Sequence, residues 1–114
     1  MALSDAALVI GANAIDAAIT HFGLHSGAPG AAGTSNVVGT RVAVNGTVDG
    51  DGDITWTNTA FTGLTANQGV THVSYWSAST AGTFYGSSAL TGDATANSAG
   101  EYTVTSVVET STAT

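Results

Sequence analysis

The sequence is nearly devoid of positive charge. Its 114 residues include no lysine and a single arginine, Arg41, against eight acidic residues, so the formal net charge is −7. Nucleic acids and anionic membranes are bound mainly through Lys and Arg, and neither is expected as a partner. Charged residues make up 8% of the chain, well below the roughly 25% of ordinary soluble domains. Two interpretations remain open: a protein that lies inside an assembly, or a monomer kept soluble by mutual repulsion.

Residues needed for the common catalytic chemistries are also missing. Without cysteine there are no disulfides or thiolate sites, and without lysine there is no phosphate-loop lysine and no Schiff base. The sequence has no Gly-x-Ser-x-Gly elbow. The carboxylates of Asp93 and Glu101 lie in turn-like contexts, not in an aromatic cleft. We therefore expect no enzymatic activity and no cofactor.

Long apolar runs are absent as well. The run Leu8-Val9-Ile10 is far too short to span a bilayer. No basic residue precedes it, so a signal peptide is not expected.

Large core side chains are scarce. Aromatic residues make up 7% of the chain, and much of the 43% hydrophobic content is alanine. This length supports one core, so we expect a single domain over residues 1–114. Fifteen glycines, with many Thr and Ser, favour short strands joined by tight turns. The predicted fold is all-β, a β-sandwich or jelly-roll-like domain with a short N-terminal helix.

The helix is predicted over about residues 5–18. Ser4 can cap its N-terminus, and Leu8, Ile15 and Ile19 recur at near-helical spacing. This apolar stripe, with Leu3 or Ala12 alongside, is expected to pack on the sheet. At the other end of the chain, residues 110–114 have no apolar anchor and are expected to fray.

Residues 70–90 form the most aromatic stretch and are predicted to be a β-hairpin. Alternation along the first strand places Val73 and Tyr75 on one face, and Ser74 and Trp76 on the other. The small polar residues 77–82 predict the turn. Trp76 is expected to meet Phe84 or Tyr85 across the hairpin.

The first strand of this hairpin resembles an earlier stretch of the chain. Residues 19–26 and 70–77 share the pattern aliphatic-Thr-His-apolar-small-x-x-Ser, offset by 51 positions. The repeat predicts two related strands that are neighbours in one sheet.

The other predicted elements are a long loop and three strands. The loop covers residues 26–36, which include the only proline. One strand lies within residues 37–48, where Asn45-Gly46 predicts a hairpin turn. A second begins at Ile54 and carries Trp56, and the third covers residues 101–109.

Two groups of residues are candidates for metal binding. Asp49, Asp51 and Asp53 alternate with glycine, as acidic ligands do at the start of a calcium loop. That pattern then fails, because Ile54 and Ala60 stand where Gly and Glu are required. A flexible acidic turn is the stronger interpretation, with a weak Ca²⁺ site as the alternative.

The histidines His21, His25 and His72 form the second candidate group. If the two Thr-His strands pair, His21 and His72 are expected to lie close together, and a three-His zinc site is geometrically possible. The favoured alternative is that each ring packs half-buried in the sheet and hydrogen-bonds to a Ser or Thr.

The aromatic side chains also allow two interpretations. Trp56, Trp76, Tyr75 and Tyr85 can form a sugar-stacking surface, or they can form the core of a domain with few large residues. The core is the more common outcome.

The order of motifs resembles small structural proteins of tailed bacteriophages, labelled as minor tail, tail-fibre or head-decoration proteins. The shared motifs are Thr-His-Phe-Gly-Leu-His-Ser-Gly-Ala-Pro-Gly from Thr20, Asn36-Val37-Val38-Gly39, Thr71-His72 with Trp76, and Gly82-Thr83-Phe84. The resemblance covers about residues 4–108. Ser26 and Val37 depart from it, at positions where Thr and Glu are frequent.

The resemblance implies a non-enzymatic virion protein that decorates the capsid or forms part of the tail. Implied partners are the major capsid or tail proteins of the same virion and further copies of the chain, expected as a trimer. The expected surface contacts are Pro29, Asn36, Tyr75, Trp76 and Tyr85. The alternative function is a host-surface glycan-binding module that uses Trp76, Tyr75 and Tyr85.

Overall fold

A computed structural model describes residues 3–92 and 94–111 of the chain, with one helix and seven strands in two antiparallel sheets. The predicted β-sandwich is confirmed, and its extents are 48 × 25 × 21 Å. Sheet A has the strand order β2-β1-β5-β6, and sheet B has the order β3-β4-β7. The elements are α1 Asp5–Ala18, β1 His21–His25, β2 Val37–Ala43, β3 Thr47–Val48, β4 Ile54–Phe61, β5 His72–Trp76, β6 Phe84–Ala89 and β7 Tyr102–Glu109.

Helix α1 has the predicted bounds. The Ser4 hydroxyl accepts a hydrogen bond from the Ala7 amide at 3.3 Å and so caps the first turn. Ala12 and, just after the helix, Ile19 are buried. The expectation that Ile15 also packs inward is wrong, because half of this side chain is exposed at the flank of the helix. No helix among the described residues is long and apolar enough to cross a membrane.

The internal repeat is a real structural relationship. Strands β1 and β5 are antiparallel neighbours at the centre of sheet A, with Gly23 paired to Ser74. Thr20 Oγ1 lies 2.8 Å from His21 Nδ1, and the second copy of the motif has the same 2.8 Å contact between Thr71 and His72. The two copies of the repeat therefore share a local geometry as well as a sequence pattern.

The core between the sheets is built around three aromatic rings. Phe22 of β1 lies 5.3 Å from Trp56 of β4 and 5.2 Å from Tyr75 of β5, measured between ring centroids. Trp56 and Tyr75 stack at 5.7 Å. Such pairs contribute about 0.5–1.5 kcal/mol each beyond their buried area, so three rings join the two sheets where other large side chains are few.

The hairpin of β5 and β6 is confirmed, and Trp76 meets Phe84 across it with ring centroids 5.3 Å apart. The turn is closed by Ser77, whose hydroxyl accepts from the Thr83 amide at 2.8 Å. Ala81 and Gly82 take positive φ, which lets the chain reverse within the predicted turn.

The predicted hairpin turn at Asn45-Gly46 is wrong. Strands β2 and β3 belong to different sheets, and neither residue has a positive φ. The segment instead crosses from sheet A to sheet B beneath α1, where the Gly46 amide donates to Asp16 Oδ1 at 3.0 Å. A Cβ at Gly46 would lie 2.8 Å from Trp56 Nε1. Glycine is required here by close packing, not by turn geometry.

The predicted frayed tail falls mainly on residues 112–114, which lie outside the described residues. Ser111 itself is held, because its amide donates to Asp53 Oδ1 at 3.1 Å and its hydroxyl to the Gly52 carbonyl at 2.6 Å.

Candidate interaction surfaces

The residues expected to make surface contacts do not share one surface. Asn36 and Tyr85 are exposed, whereas Pro29, Tyr75 and Trp76 are buried. For these three buried residues the expectation of surface exposure is wrong. Strand β5 is a central strand whose two faces are both covered, one by sheet B and the other by loops. Tyr75 and Trp76 are 4% and 5% exposed, so the described residues form no sugar-stacking platform from Trp76, Tyr75 and Tyr85.

The outer face of sheet A is covered by the long loop of residues 26–36. Gly33, with φ 72°, lies so close to Phe84 that a Cβ at this position would overlap the ring. Asn36 closes the loop: its backbone carbonyl accepts from the Ser26 amide at 2.9 Å, and its side-chain amide donates to the Ala28 carbonyl at 3.1 Å. The loop therefore packs as a cover over the sheet.

Arg41, the single basic residue apart from histidine, is used within the fold. Its guanidinium carbon lies 3.5 Å from the centre of the Trp76 ring, in a cation–π contact. One nitrogen of the group donates to the carbonyls of Ala78 and Ala81, at 3.0 and 2.7 Å. The arginine thus fastens the 77–82 turn to strand β2, and its charge is engaged by the ring and these carbonyls.

A buried hydrogen-bond network is centred on Ser74. The Trp76 indole N–H donates to Ser74 Oγ at 2.7 Å, and His25 Nε2 lies 2.7 Å from the same oxygen. His25 Nδ1 lies 2.8 Å from the Ser35 carbonyl, an acceptor, so Nδ1 carries the proton and Nε2 accepts from the Ser74 hydroxyl. Burial lowers the pKa of His25. The neutral ring therefore fixes the 26–36 loop to strand β5.

The histidines do not assemble into a three-His group. Antiparallel pairing places His25 opposite His72, while His21 lies opposite Trp76 at the other end of the strands. The expected closeness of His21 and His72 is therefore wrong. Each histidine instead hydrogen-bonds to a Ser or Thr hydroxyl, as the favoured alternative predicted. His21 and His72 are half-buried as expected, whereas His25 is fully buried.

A second polar group connects the two sheets near their common edge. The Tyr75 hydroxyl donates to Glu109 Oε1 and contacts Ser88 Oγ, and Ser88 donates to the same carboxylate oxygen at 2.9 Å. Burial, reinforced by the hydrogen bond to Glu109, raises the pKa of Tyr75 well above its usual range. The tyrosine stays protonated and ties strands β5 and β6 to β7.

The acidic turn has a structural role in its own loop. Asp49 Oδ1 accepts hydrogen bonds from the amides of Asp51 and Asp53, at 2.9 and 3.0 Å. One carboxylate oxygen from each of Asp49, Asp51 and Asp53 lies within 4.8 Å of the other two. This spacing is compatible with a cation, while the hydrogen bonds alone explain the turn.

Three of the exposed large apolar side chains lie on and beside α1. Ile10 is 73% exposed, and Leu3 and Ile15 are about half exposed. Next to Ile15, a groove of about 450 Å³ separates the C-terminal half of α1 from the sandwich, and Ile54, Tyr85 and Glu109 contribute to its walls. The sequence interpretation missed this surface because it considered only the inward stripe. The available signal was the presence of alanine and isoleucine on both sides of the helix.

Comparison with known proteins identifies the family. No curated protein and no solved structure shows a significant match to the chain. One family model, described as podophage GP4 fiber I protein gp80, matches residues 6–110, from the first turn of α1 past the end of β7. The match confirms the resemblance to structural proteins of tailed phages. The chain therefore belongs to the podophage GP4 fiber I protein gp80 family and is a structural protein of a tailed-phage virion.

Proposed function

We propose that this protein is a non-enzymatic subunit of a fibre on the phage tail, and that it acts by associating with further copies of itself and with a neighbouring virion protein. The family match carries the proposal, since it extends over the helix and every strand of the sandwich. A fibre role is favoured over capsid decoration because the description of the family names a fibre protein.

The distribution of charge supports a role based on association. The chain carries −7 with one arginine, and that arginine is engaged by Trp76 and two backbone carbonyls. Contacts between copies at exposed carboxylates would be repulsive, so self-association must use uncharged surface. Uncharged and apolar surface is available on α1. Closed symmetric oligomers are the usual result of such association, and we propose a trimer.

A neighbouring virion protein is proposed to bind at the start of strand β2. Val37 is 60% exposed there, directly after the exposed Asn36 that closes the covering loop. The loop is held through Ser35 and His25 and through Gly33 and Phe84. A rigid loop end with an exposed apolar residue loses little conformational freedom on binding.

The experiment is immunogold electron microscopy of intact virions with an antibody against this chain. We expect label at the tail, on the fibres. Label spread evenly over the head would support a role in capsid decoration instead of a fibre role. Virions without label would refute a virion role. The matched control is the same antibody after absorption with the purified protein.

A further inference from the structure

Helix α1 carries two apolar seams, and its own domain covers only one of them. The inner seam is Leu8, Ala12 and Ile19, where Ala12 and Ile19 are buried and Leu8 packs against Gly52. Ile10, by contrast, is the most exposed large hydrophobic side chain in the described part of the chain. A helix on the surface of a globular protein normally presents polar and charged residues on its outer side, whereas the outer side of α1 carries mainly alanine together with Leu3 and Ile10. The outer face of α1 therefore lacks the cover that its composition calls for.

The outer seam has the spacing of a helix-pairing surface. It consists of Ala7, Ile10, Ala14 and Ala17, separated by three, four and three residues, and Leu3 extends it by a further interval of four. This alternation of three and four is the pattern that keeps one side of a helix facing a partner helix. The alanines leave room for close approach, and Leu3 and Ile10 supply the bulk.

The charge distribution favours a second copy of this chain as the partner that binds the outer seam. The outer seam carries no charged side chain, and α1 holds its two acids, Asp5 and Asp16, outside that seam. Asp16 is turned toward the domain, where it binds the Gly46 amide. If the partner were a positively charged protein, we would expect acidic side chains of this chain to lie within the contact surface. A seam free of charge in a chain of net charge −7 instead allows identical copies to approach without repulsion.

The size of the surface requires more than the helix alone. A helix of 14 residues is about 21 Å long, and with a width of about 10 Å it covers roughly a quarter of the about 800 Å² that each partner of a stable complex buries. The adjoining groove beside Ile15 and Tyr85 continues the apolar surface. Its one carboxylate, Glu109, accepts hydrogen bonds from Tyr75 and Ser88. The helix and groove together provide the larger area.

We infer that the outer seam of α1, together with the groove beside Ile15 and Tyr85, is the surface through which two copies of this protein associate. This inference rests on the proposed self-association and specifies where it occurs. The seams of two copies pack against each other, and Ile10 lies at the middle of the contact. In the proposed trimer the α1 helices run parallel around the three-fold axis, so the Ile10 side chains of neighbouring copies meet at the same level.

The absence of cysteine makes a direct test possible. Ile10→Cys introduces a single thiol at the proposed contact. Ser98→Cys introduces one in the exposed turn that precedes strand β7. Under mild oxidation, Ile10→Cys should form a disulfide-linked dimer on non-reducing gels, and Ser98→Cys should remain a single chain. Equal cross-linking of the two variants, or none at Ile10→Cys, would overturn the inference.

A second variant tests the same contact by its effect on association. Ile10→Asp places a carboxylate in the seam and should weaken association at least about tenfold, which corresponds to about 1.4 kcal/mol. Light scattering coupled to size-exclusion chromatography measures this, and the matched control Val108→Asp, at an exposed apolar residue of strand β7, should behave as the wild type. Ile10 is mostly exposed, so the circular dichroism and melting temperature of Ile10→Asp should show an intact fold.

The outcomes separate this inference from the proposed function. A wild-type oligomer that is lost in Ile10→Asp and cross-linked in Ile10→Cys supports both. If the wild type is an oligomer, but Ile10→Asp does not weaken it and Ile10→Cys does not cross-link, the outer seam is not the contact surface, while self-association still holds. A wild-type monomer at every concentration overturns the seam and self-association together, while the location on the virion is still decided by the immunogold labelling.

Discussion

His25 and Trp76 occupy equivalent positions in the two copies of the internal repeat, and both hydrogen-bond to one hydroxyl, Ser74 Oγ, at 2.7 Å. The two repeats are offset by 51 positions, and Ser74 pairs with Gly23, its own counterpart. A local two-fold axis therefore passes between Gly23 and Ser74. A Cβ at Gly23 would lie 2.8 Å from Ser74 Oγ, so a side chain at this position would displace the hydroxyl that His25 and Trp76 share.

The shared hydroxyl makes Ser74 a sensitive position. In Ser74→Ala, His25 Nε2 and the Trp76 indole N–H lose their buried partners, which we expect to lower the free energy of unfolding by about 2–4 kcal/mol. Urea denaturation measures this change. The matched control is Ser87→Ala, at the exposed residue paired with Ser74 on β6, which should stay within about 0.5 kcal/mol of the wild type. Equal effects of the two substitutions would contradict the network.

Burial of neutral His25 predicts a loss of stability in mild acid. Its pKa in the folded state is below the value in the unfolded chain, so the unfolded state binds the proton more readily. The free energy of unfolding should therefore fall as the pH decreases through the unfolded value of about 6.5 toward the lower folded value. Melting temperatures between about pH 7.5 and about pH 5 measure this.

The variants for this pH dependence are His25→Gln and His21→Gln. His25→Gln is less stable at neutral pH and should lose much of the decline in acid. His21→Gln should retain that decline, because the His21 ring is half-buried and hydrogen-bonds to the neighbouring Thr20. A wild type whose melting temperature does not change over this range would refute the assignment.

Arg41→Lys separates charge from geometry at the Trp76 ring. Lysine retains the positive charge but lacks the planar group that stacks on the indole and reaches two carbonyls. We expect a loss of about 1–2 kcal/mol and faster amide hydrogen exchange in residues 77–82. Thr40→Ala, at the exposed neighbour of Arg41 on β2, serves as the control and should leave exchange in this turn unchanged. Unchanged exchange in Arg41→Lys would show that the turn is held by other contacts.

Two glycines with the same backbone conformation test whether the 26–36 loop is packed as a cover. Gly33 and Gly63 both have φ 72°, so alanine costs about 1 kcal/mol of backbone strain at either position. Gly63 faces open space, whereas a Cβ at Gly33 would overlap the Phe84 ring. Gly33→Ala should therefore be clearly more destabilising than Gly63→Ala in thermal denaturation. Equal losses would mean that the loop is free to move away from the sheet.

The acidic turn provides a matched pair for testing a cation site. Asp49→Ala removes the acceptor for two backbone amides and should cost about 1 kcal/mol, while Asp51→Ala should be close to neutral. If the turn is only structural, a chelator will leave the wild-type melting temperature unchanged. A calcium-dependent rise in the melting temperature that disappears in both variants would establish a cation site, since a ligand that binds only the folded state stabilises it.

Local sequence was sufficient for the helix, the aromatic hairpin and the relationship between the two Thr-His strands. Ser4 caps α1 by a contact within one turn, and Trp76 meets Phe84 across a short connection. These features depend on residues that are close in the chain, or on a repeated sequence motif that specifies the same local geometry twice. The resemblance to phage structural proteins could also be recognised from the sequence, because the order of the motifs along the chain is a property of the sequence alone.

Tertiary structure alone decided which surfaces are free. Alternation along β5 separates Tyr75 from Trp76 correctly, yet it does not show that loop 26–36 and Arg41 cover the second face. Likewise, Asn45-Gly46 has the composition of a hairpin turn, but the strands on either side belong to different sheets and Gly46 packs against the indole of Trp56. The composition of α1 determined that both of its sides are apolar. Only packing on the sandwich decided that Ala12 faces inward and Ile10 remains exposed, because burial depends on contacts between residues far apart in the chain.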